Sequence, residues 1–206
     1  MRYIIGTIVT LLLLCASAAA RKLNFSVETF DMQTDRLEFR HYPGGRTAKW
    51  VETENDATVA RNACFFGKKS IDGAKVPYQV DLYIKHRQVI IPARPKRPVL
   101  AVYLDNTVKI FADYQTMLPW GMPNWAIGGM RSPPRPGDSH WRQFVAVKNH
   151  YYFRVVVKGS ADTCAWLAHK WGFESIIHLD GGSSISPGMV VPSHLLVFAK
   201  GVAKPK

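Results

Sequence analysis

The sequence predicts an α+β fold: a single domain with a mixed β-sheet core and few helices. Short apolar runs rich in β-branched residues recur along the chain and end at Gly, Pro, Asn or Asp, as strands do. Apolar and polar residues alternate between Leu23 and Phe39, which is typical of half-buried strands. Only the stretch that begins at Ser160 has a clear helical spacing of apolar residues, so strands outnumber helices.

The first twenty residues form a predicted signal peptide. Arg2 supplies the positive charge, Ile4 to Leu14 is an apolar core, and Ala18-Ala19-Ala20 fits a cleavage site. The apolar core is short for a membrane span, although an uncleaved anchor is the alternative. We therefore expect residues 21–206 to form one secreted or periplasmic domain with no membrane span after cleavage.

The mature chain would be strongly basic. Without Arg2 it has 26 basic and 15 acidic side chains, a formal net charge of +11. This charge favours anionic partners, such as a sugar phosphate or an anionic polysaccharide. Nucleic acid is disfavoured, because the densest basic cluster, Arg94 to Pro98, is interrupted by prolines and no nucleic-acid-binding motif accompanies it.

Local signals predict most of the elements. Tyr42 to Gly45 reads as a turn, and Val51 to Ala60 as either a short helix capped by Thr53 or Asn55 or a polar connector. A helix from Ser160 or Asp162 should end at Gly172. Strands are expected over residues 78–84, 88–91, 99–104, 107–111, 144–147, 151–157 and 195–199, with a hairpin turn at Asp105-Asn106.

Two cysteines remain after cleavage, Cys64 and Cys164. In an oxidising compartment they can pair, which would add about 2–4 kcal/mol of stability. The alternative is two buried free thiols, and the spacing does not decide between them.

The central stretch of the sequence is Ser175 to Ser184. An apolar run delivers Asp180 into a Gly-Gly-Ser-Ser turn. Glycines allow positive φ and close approach of a ligand to the backbone, and the serines add hydroxyl and N–H donors. Asp180 could act as acid, base, nucleophile or metal ligand; alternatively it only caps the turn.

Other short stretches also carry candidate site residues. Asn62 precedes a small and aromatic run, and Gly128-Gly129 ends an apolar run. Arg142 enters a strand, where its guanidinium should meet a carboxylate, a phosphate or a structural salt-bridge partner. His140 is a candidate for proton chemistry or a structural histidine.

Three tryptophans are candidates for stacking on sugar rings, or for packing a loop-rich layer: Trp120, Trp125 and Trp141.

In this order, these stretches resemble the phosphodiester glycosidase family. The motifs are Asn62 to Phe66, Trp125 to Gly129, His140-Trp141-Arg142, the helix ending at Gly172, and Leu179 to Ser184. Bacterial relatives in that family are exported proteins linked to surface polysaccharides. The resemblance spans roughly residues 60–198, but Ala63 and Cys64 stand where the family usually has two glycines.

The resemblance implies a hydrolase that cleaves a sugar-1-phosphodiester bond in an envelope or extracellular glycan. Asp180, Arg142 and Asn62 are the implied catalytic residues. The implied substrate-binding residues are Gly128, Gly129, His140, Gly181, Gly182, Ser183 and Ser184.

Several features of the implied enzyme stay open. A second carboxylate could be Asp72, Asp81, Asp138 or Glu174, and calcium at Asp180 is a candidate cofactor. The rival hypothesis is a non-catalytic binder of anionic envelope polysaccharide. The sequence does not determine the oligomeric state.

Overall fold

The computed structural model describes residues 23–131, 140–186 and 188–199. The predicted signal peptide lies outside these residues. The described chain contains fourteen strands, three α-helices and two 3-10 turns, which confirms the α+β class. The strands are β1 (Phe25–Asp31), β2 (Arg36–Arg46), β3 (Val59–Asn62), β4 (Phe66–Ile71), β5 (Ala74–Gln79), β6 (Tyr83–Lys85), β7 (Gln88–Ile91), β8 (Val99–Val102), β9 (Val108–Phe111), β10 (Trp125–Gly128), β11 (Trp141–Lys148), β12 (Tyr151–Lys158), β13 (Ile176–Leu179) and β14 (Val191–Phe198). The helices are α1 (Ala48–Asn55), α2 (Tyr114–Met117) and α3 (Ala161–Lys170), and the 3-10 turns are Leu118–Trp120 and Gly182–Ile185.

The strands form four sheets, and each pair of neighbouring strands in the described chain is antiparallel. The first sheet has the order β1-β12-β11-β13, the second β7-β6-β10-β8-β9 and the third β2-β14-β3, while β4 and β5 form a separate hairpin. A bridge between Met130 and His178 joins the end of β10 to β13, and so connects the second sheet to the first.

The main core lies where the three larger sheets face one another. Phe39 of the third sheet, Leu100 and Ile127 of the second, and Val145 and Ile177 of the first are fully buried in it. A smaller cluster lies between the first sheet and α3. Leu167 of α3 is buried there, which contributes about 2 kcal/mol. The first sheet is therefore covered on both faces near Asp180.

Helix α3 follows the sequence prediction closely. The Ser160 side chain accepts from the backbone N–H of Thr163, and the Thr163 side chain bonds back to Ser160 in a capping box. The helix ends before Gly172, whose φ of 67° suits a glycine after a helix C-terminus.

Helix α1 begins earlier than either cap proposed from the sequence. Thr47 is the N-cap and accepts from the backbone N–H of Trp50, so Thr53 and Asn55 lie inside the helix. The helical choice for this stretch is confirmed, but its predicted start is wrong. The helix packs Ala48 and Val51 against Leu196 of β14, a contact between segments far apart in the chain.

The Tyr42–Gly45 stretch does not end β2 as a turn would. It lies within β2, where the register with β14 shifts between Val191 and Ser193, so it forms a bulge. Gly44 and Gly45 have φ of 82° and 80°, which explains the glycines that made the stretch look like a turn.

The remaining local predictions concern one hairpin turn, two strand boundaries and the cysteines. Asp105-Asn106 connects the antiparallel strands β8 and β9, as predicted. The single strand expected over 78–84 is divided between β5 and β6, and the last strand begins at Val191 rather than Leu195. Cys64 and Cys164 are both buried free thiols, so the disulfide alternative is wrong. Within the described ranges, no helix combines the length and apolarity needed to span a membrane.

Candidate functional site

Asp180 follows β13 directly. It lies at the end of the sheet where the C-terminus of β13 is next to the start of β11. Leu179 is paired with Gln143, so one further residue along the same register places Asp180 opposite Arg142. A Cβ built on Gly181 would lie 2.5 Å from the Trp141 carbonyl oxygen and 3.2 Å from the Arg142 Cα. The Asp180 turn therefore lies directly against the start of β11.

The two glycines of the Gly-Gly-Ser-Ser turn are required for different structural reasons. Gly181 permits the close approach to Trp141, whereas Gly182 has a φ of 64°. The Asp180 carboxylate accepts from the Gly181 N–H at 3.0 Å, and the buried Ser184 hydroxyl donates to the Gly181 carbonyl. The backbone of Ser183 lies in the same 3-10 turn.

Asn62 is the last residue of β3 and is 4% exposed. Its Oδ1 accepts from the backbone N–H of Cys64 at 3.2 Å. Its Nδ2 is buried and has no hydrogen-bond partner among the described residues. An unpartnered buried donor is unfavourable by about 1–3 kcal/mol. Asn62 therefore has an amide group able to donate to an acceptor on a bound molecule.

A chain of buried polar groups fixes the backbone of Asn62. The Gln143 Nε2 donates to the Asn62 carbonyl at 3.0 Å, and the Gln143 Oε1 accepts from the Arg154 Nε at 2.7 Å. Arg154 in turn donates to Glu28 at 2.9 Å, and Glu28 also accepts from Arg61 at 2.7 Å. Burial alone would raise the pKa of Glu28, but Arg154 and Arg61 outweigh burial and lower it.

Gly128, Gly129 and Asp81 lie near the same edge. A Cβ on Gly128 would lie 2.4 Å from the Asp81 carboxylate, and a Cβ on Gly129 would lie 2.7 Å from the His178 carbonyl oxygen. Asp81 is 2% exposed and accepts from the backbone N–H of Leu82 at 2.8 Å. Of the proposed second carboxylates, Asp81 is the one that the described structure brings to this edge.

The Cys64 thiol is influenced by the charges of both Asp180 and Asp81. Burial is the main reason why the pKa of its thiol is raised, and the negative charges of Asp180 and Asp81 raise it further. The thiol therefore lies within electrostatic range of both carboxylates. Neither Ala63 nor Cys64 has a positive φ, so the backbone here does not require the glycines usual in the resembling family.

Arg142 is buried, at 4% exposure, and its Nε donates to the Gly159 carbonyl just before α3. Part of its guanidinium is therefore held by a backbone carbonyl. Its charge also reaches the neighbouring groups: together with burial, which is the larger cause, it lowers the pKa of His178 to about 4.

His178 is a buried histidine beside the candidate site that the sequence analysis did not single out. It lies two residues before Asp180 on β13, so both side chains leave the strand on the same face. It is 3% exposed, and its Nδ1 has no hydrogen-bond partner among the described residues. The period of two along the strand was the signal that could have identified it.

The remaining candidates have exposed side chains or lie outside the described chain. The His140 side chain is exposed, while its carbonyl accepts from the Gly159 N–H at 3.1 Å. Asp72 and Glu174 are exposed, and Asp138 lies outside the described residues.

The three tryptophans differ in their environments. Trp125 is a core residue at 3% exposure, whereas Trp120 and Trp141 are 59% and 36% exposed. The packing interpretation therefore holds for Trp125, and only the other two present surface to a sugar.

A wide groove lies elsewhere on the molecule. It has a volume of about 840 Å³ and is lined by Leu104, Asn106, Asn149 and His150, among others. These last two residues lie at the far end of β11 from Arg142, roughly 20 Å away at the rise of a strand. The groove is thus separate from the Asp180 cluster.

Within residues 23–131, 140–186 and 188–199, no three His, Cys, Asp or Glu side chains come together as a metal site would require. Calcium binding stays a prediction.

The edge of the first sheet therefore collects residues from four separate stretches of the chain. One residue from each stretch represents it: Asn62, Gly128, Arg142 and Asp180. With Asp81, which lies beside Gly128, they provide two carboxylates, a guanidinium and an amide donor. Such a set can activate a water molecule and stabilise an anion.

Solved structures share this architecture. The catalytic domain of zebrafish N-acetylglucosamine-1-phosphodiester alpha-N-acetylglucosaminidase, auto-inhibited by its pro-peptide, matches with a TM-score of 0.58 and 12% identity, over 87% of this chain and 83% of that one. The chain has the same fold. A hypothetical protein from Synechocystis matches with a TM-score of 0.62 and 13% identity, over 86% of this chain and 59% of that one. No protein-family profile and no curated protein sequence matches the chain.

Proposed function

We propose that the protein is an exported hydrolase that cleaves the bond between a sugar anomeric carbon and a phosphodiester oxygen. The observation that carries this proposal is that Arg142 and Asp180 lie opposite each other where β11 and β13 meet, next to Gln143, which holds the strand end of Asn62. The likeness in fold to a phosphodiester glycosidase catalytic domain supports it.

The proposed reaction is a hydrolysis. Asp180 removes a proton from water, the water oxygen bonds to the anomeric carbon, and the carbon–oxygen bond to phosphorus-bound oxygen breaks. The products are the free sugar and a phosphate monoester. Because the phosphate is a weakly basic leaving group, the site needs charge stabilisation more than a strong general acid.

Each residue then has a defined role. The Arg142 guanidinium stabilises the negative charge on the leaving phosphate. The Asn62 Nδ2, which is buried without a partner in the described chain, donates to a phosphoryl or sugar oxygen. Asp81 is the candidate second carboxylate, since its side chain lies beside Gly128 and within electrostatic range of Cys64.

The test is release of free sugar from a panel of sugar-1-phosphodiesters by the chain that begins at Arg21. We expect Asp180→Asn to reduce turnover by about 10²–10⁴-fold, the contribution typical of a general base. Asp72→Asn is the matched control, because Asp72 is an exposed carboxylate on the β4–β5 turn. Equal turnover by the wild type and a correctly folded Asp180→Asn variant would refute the assignment.

A second candidate function is non-catalytic glycan binding. It is favoured by Trp120, which is 59% exposed and has the Lys109 Nζ 3.7 Å from its ring centroid. An aromatic face beside a cation suits an anionic polysaccharide. Loss of glycan retention in Trp120→Ala, together with no loss in Asp180→Asn, would favour this function over hydrolysis.

Export belongs to the same proposal. Expression of the whole chain should give a product whose first residue is Arg21, found outside the cytoplasm. A product that keeps residues 1–20 would support the uncleaved-anchor alternative.

A further inference from the structure

Two hairpins carry exposed segments at the surface of the molecule. Residues 68–75, around the turn between β4 and β5, are all exposed, and so are residues 85–90, around the turn between β6 and β7. Both segments combine basic and apolar side chains. We call them together the basic–apolar surface.

Positive charge is concentrated in this part of the chain. Residues 66–97 hold eight Lys and Arg and two Asp, so this stretch of 32 residues carries +6 of the formal +12 of the whole chain. One of the two carboxylates, Asp81, is buried, which leaves Asp72 as the exposed acidic residue in the stretch. Five of these basic residues lie on the two exposed segments: Lys68, Lys69, Lys75, Lys85 and Arg87.

Large apolar side chains are exposed among these charges. Ile71 and Tyr78 of the first hairpin are both 42% exposed, and Val89 and Ile90 of the second are 43% and 50% exposed. Ile90 lies at an irregularity in the pairing of β6 with β7, which gives it no partner opposite. β7 is also an edge strand of its sheet.

A shallow groove connects the two hairpins. It has a volume of about 220 Å³ and is lined by Ile71, Val76 and Tyr78 of the first hairpin and by Ile91 of the second. Lys69 lies on the same face, with its Nζ 6.0 Å from the centre of the Tyr78 ring. Ile71 and Tyr78 are therefore continuous with a groove that extends to Ile91 at the base of the second hairpin, which follows Val89 and Ile90 in the chain.

The turn of the second hairpin contains two residues, neither of them glycine, with positive φ. His86 and Arg87 have φ of 49° and 66°, a conformation usually left to Asn and Gly in hairpin turns. Non-glycine residues in this region are strained, and such strain is concentrated at functional positions. The strained turn places Arg87 in solvent beside Val89 and Ile90.

We propose that the basic–apolar surface is a docking site for a lipid bilayer with anionic headgroups. Interfacial binding requires apolar side chains that enter the acyl boundary and cations that meet the headgroups. The two hairpins supply both on adjacent segments. Binding of this kind would keep the protein at an envelope membrane without a spanning helix.

The apolar residues favour a bilayer over an anionic polysaccharide. A polysaccharide would be held by the lysines and arginines and by stacking on the Tyr78 ring, and Ile71, Val89 and Ile90 would have no role in it. A bilayer uses both kinds of side chain. The two partners therefore differ in the effect of removing the apolar residues while keeping every charge.

The experiment is co-sedimentation of the chain that begins at Arg21 with phosphatidylglycerol–phosphatidylcholine vesicles and with phosphatidylcholine vesicles. This chain retains every described strand and helix and lacks the apolar segment Ile4 to Leu14, which would itself enter a bilayer. The apolar variant is Val89→Ser with Ile90→Ser, and Leu118→Ser is its control, since Leu118 is 39% exposed and lines neither groove.

The charge variant is Lys68→Gln with Lys69→Gln, and Lys49→Gln with Lys170→Gln is its control from outside the hairpins. Circular dichroism melts check that each variant is folded. Ile90 is half exposed and has no partner opposite it in β6. The single variant Ile90→Ser therefore tests the apolar contribution even if the double variant does not fold.

We expect the wild type to bind the anionic vesicles in a salt-dependent manner and the neutral vesicles weakly. The apolar and charge variants should each lose about tenfold in partitioning, and the controls should bind like the wild type. Four results would overturn the proposal: no binding to anionic vesicles, equal binding to neutral ones, wild-type binding by the apolar variants, or an Ile90-dependent dimer in size-exclusion chromatography. None of these measurements depends on hydrolase activity.

Discussion

The side-chain amide of Gln143 donates a hydrogen bond to the backbone carbonyl of Asn62, at 3.0 Å, across 81 residues of sequence. The same amide group accepts from Arg154 at 2.7 Å, and Gln143 is 1% exposed. This contact connects the buried ion pair of Arg154 and Glu28 to the strand end that carries the free amide donor of the candidate site.

Replacing Gln143 should therefore weaken both the fold and the site. Gln143→Leu removes the donor to Asn62 and the acceptor of Arg154, so we expect the free energy of unfolding to fall by about 1–3 kcal/mol. Urea unfolding measures this. Gln143→Glu keeps an acceptor for Arg154 and should lose less. A Leu variant as stable as the wild type would show that the contact is unimportant.

Removing the Glu28 carboxylate charge should be more severe. Glu28→Gln leaves the Arg154 side chain, 6% exposed, without its counterion, and we expect a loss of about 3–5 kcal/mol. Exposed Glu54→Gln is the control. Because the folded-state pKa of Glu28 is lowered, its contribution is present above the ordinary carboxylate pKa and is lost as pH falls through the folded-state value.

Two buried histidines should make the protein sensitive to mild acid. Burial, with a smaller effect of Arg142, lowers the pKa of His178 to about 4, and burial lowers that of His194 to about 4. Between pH 6.5 and 4 the unfolded chain binds a proton at each position and the folded chain does not. The free energy of unfolding should therefore decrease as the pH is lowered. At pH 5 each histidine should have reduced it by about 2 kcal/mol relative to neutral pH.

Urea unfolding between pH 7 and pH 4.5 tests this slope. His178→Leu should reduce this slope by about half, because His194 still contributes, whereas His140→Ala, at an exposed position, should leave it as in the wild type. If the His178→Leu variant keeps the full slope, His178 is not one of the groups responsible.

Gly181 should not tolerate a side chain. The Cβ of Gly181→Ala would lie 2.5 Å from the Trp141 carbonyl oxygen, so the Asp180 turn would have to move away from β11. We expect a loss of about 1–3 kcal/mol and of most sugar-releasing activity. Gly188→Ala is the control, because no atom lies within 4 Å of the position that its Cβ would occupy. Equal melting temperatures and activities for the two variants would contradict the prediction.

Both thiols should be unreactive in the folded protein. Burial raises the pKa of Cys164 to about 11 and is the main reason why the pKa of Cys64 is raised. Titration with a thiol reagent at pH 8 should detect neither in the native chain that begins at Arg21, and both after unfolding without reductant. Failure to detect thiols in the unfolded, unreduced chain would mean that they are paired.

The sequence by itself determined the features that depend on neighbouring residues. The capping box at Ser160, Gly172 after α3, the Asp105-Asn106 hairpin turn and the delivery of Asp180 from a strand into a glycine turn all follow from local backbone preferences. Local periodicity also identified the α+β class, because sheets and helices impose different repeats on the chain.

Only the tertiary structure decided which of the candidates meet. It selected Asp81 among the possible second carboxylates and added His178. It also turned the glycines at 44 and 45 into a bulge, because the pairing of β2 with β14, about 150 residues away, decides where a strand stops. Contacts of this kind depend on how sheets pack and on which strands pair, and neither is encoded in the spacing of nearby residues.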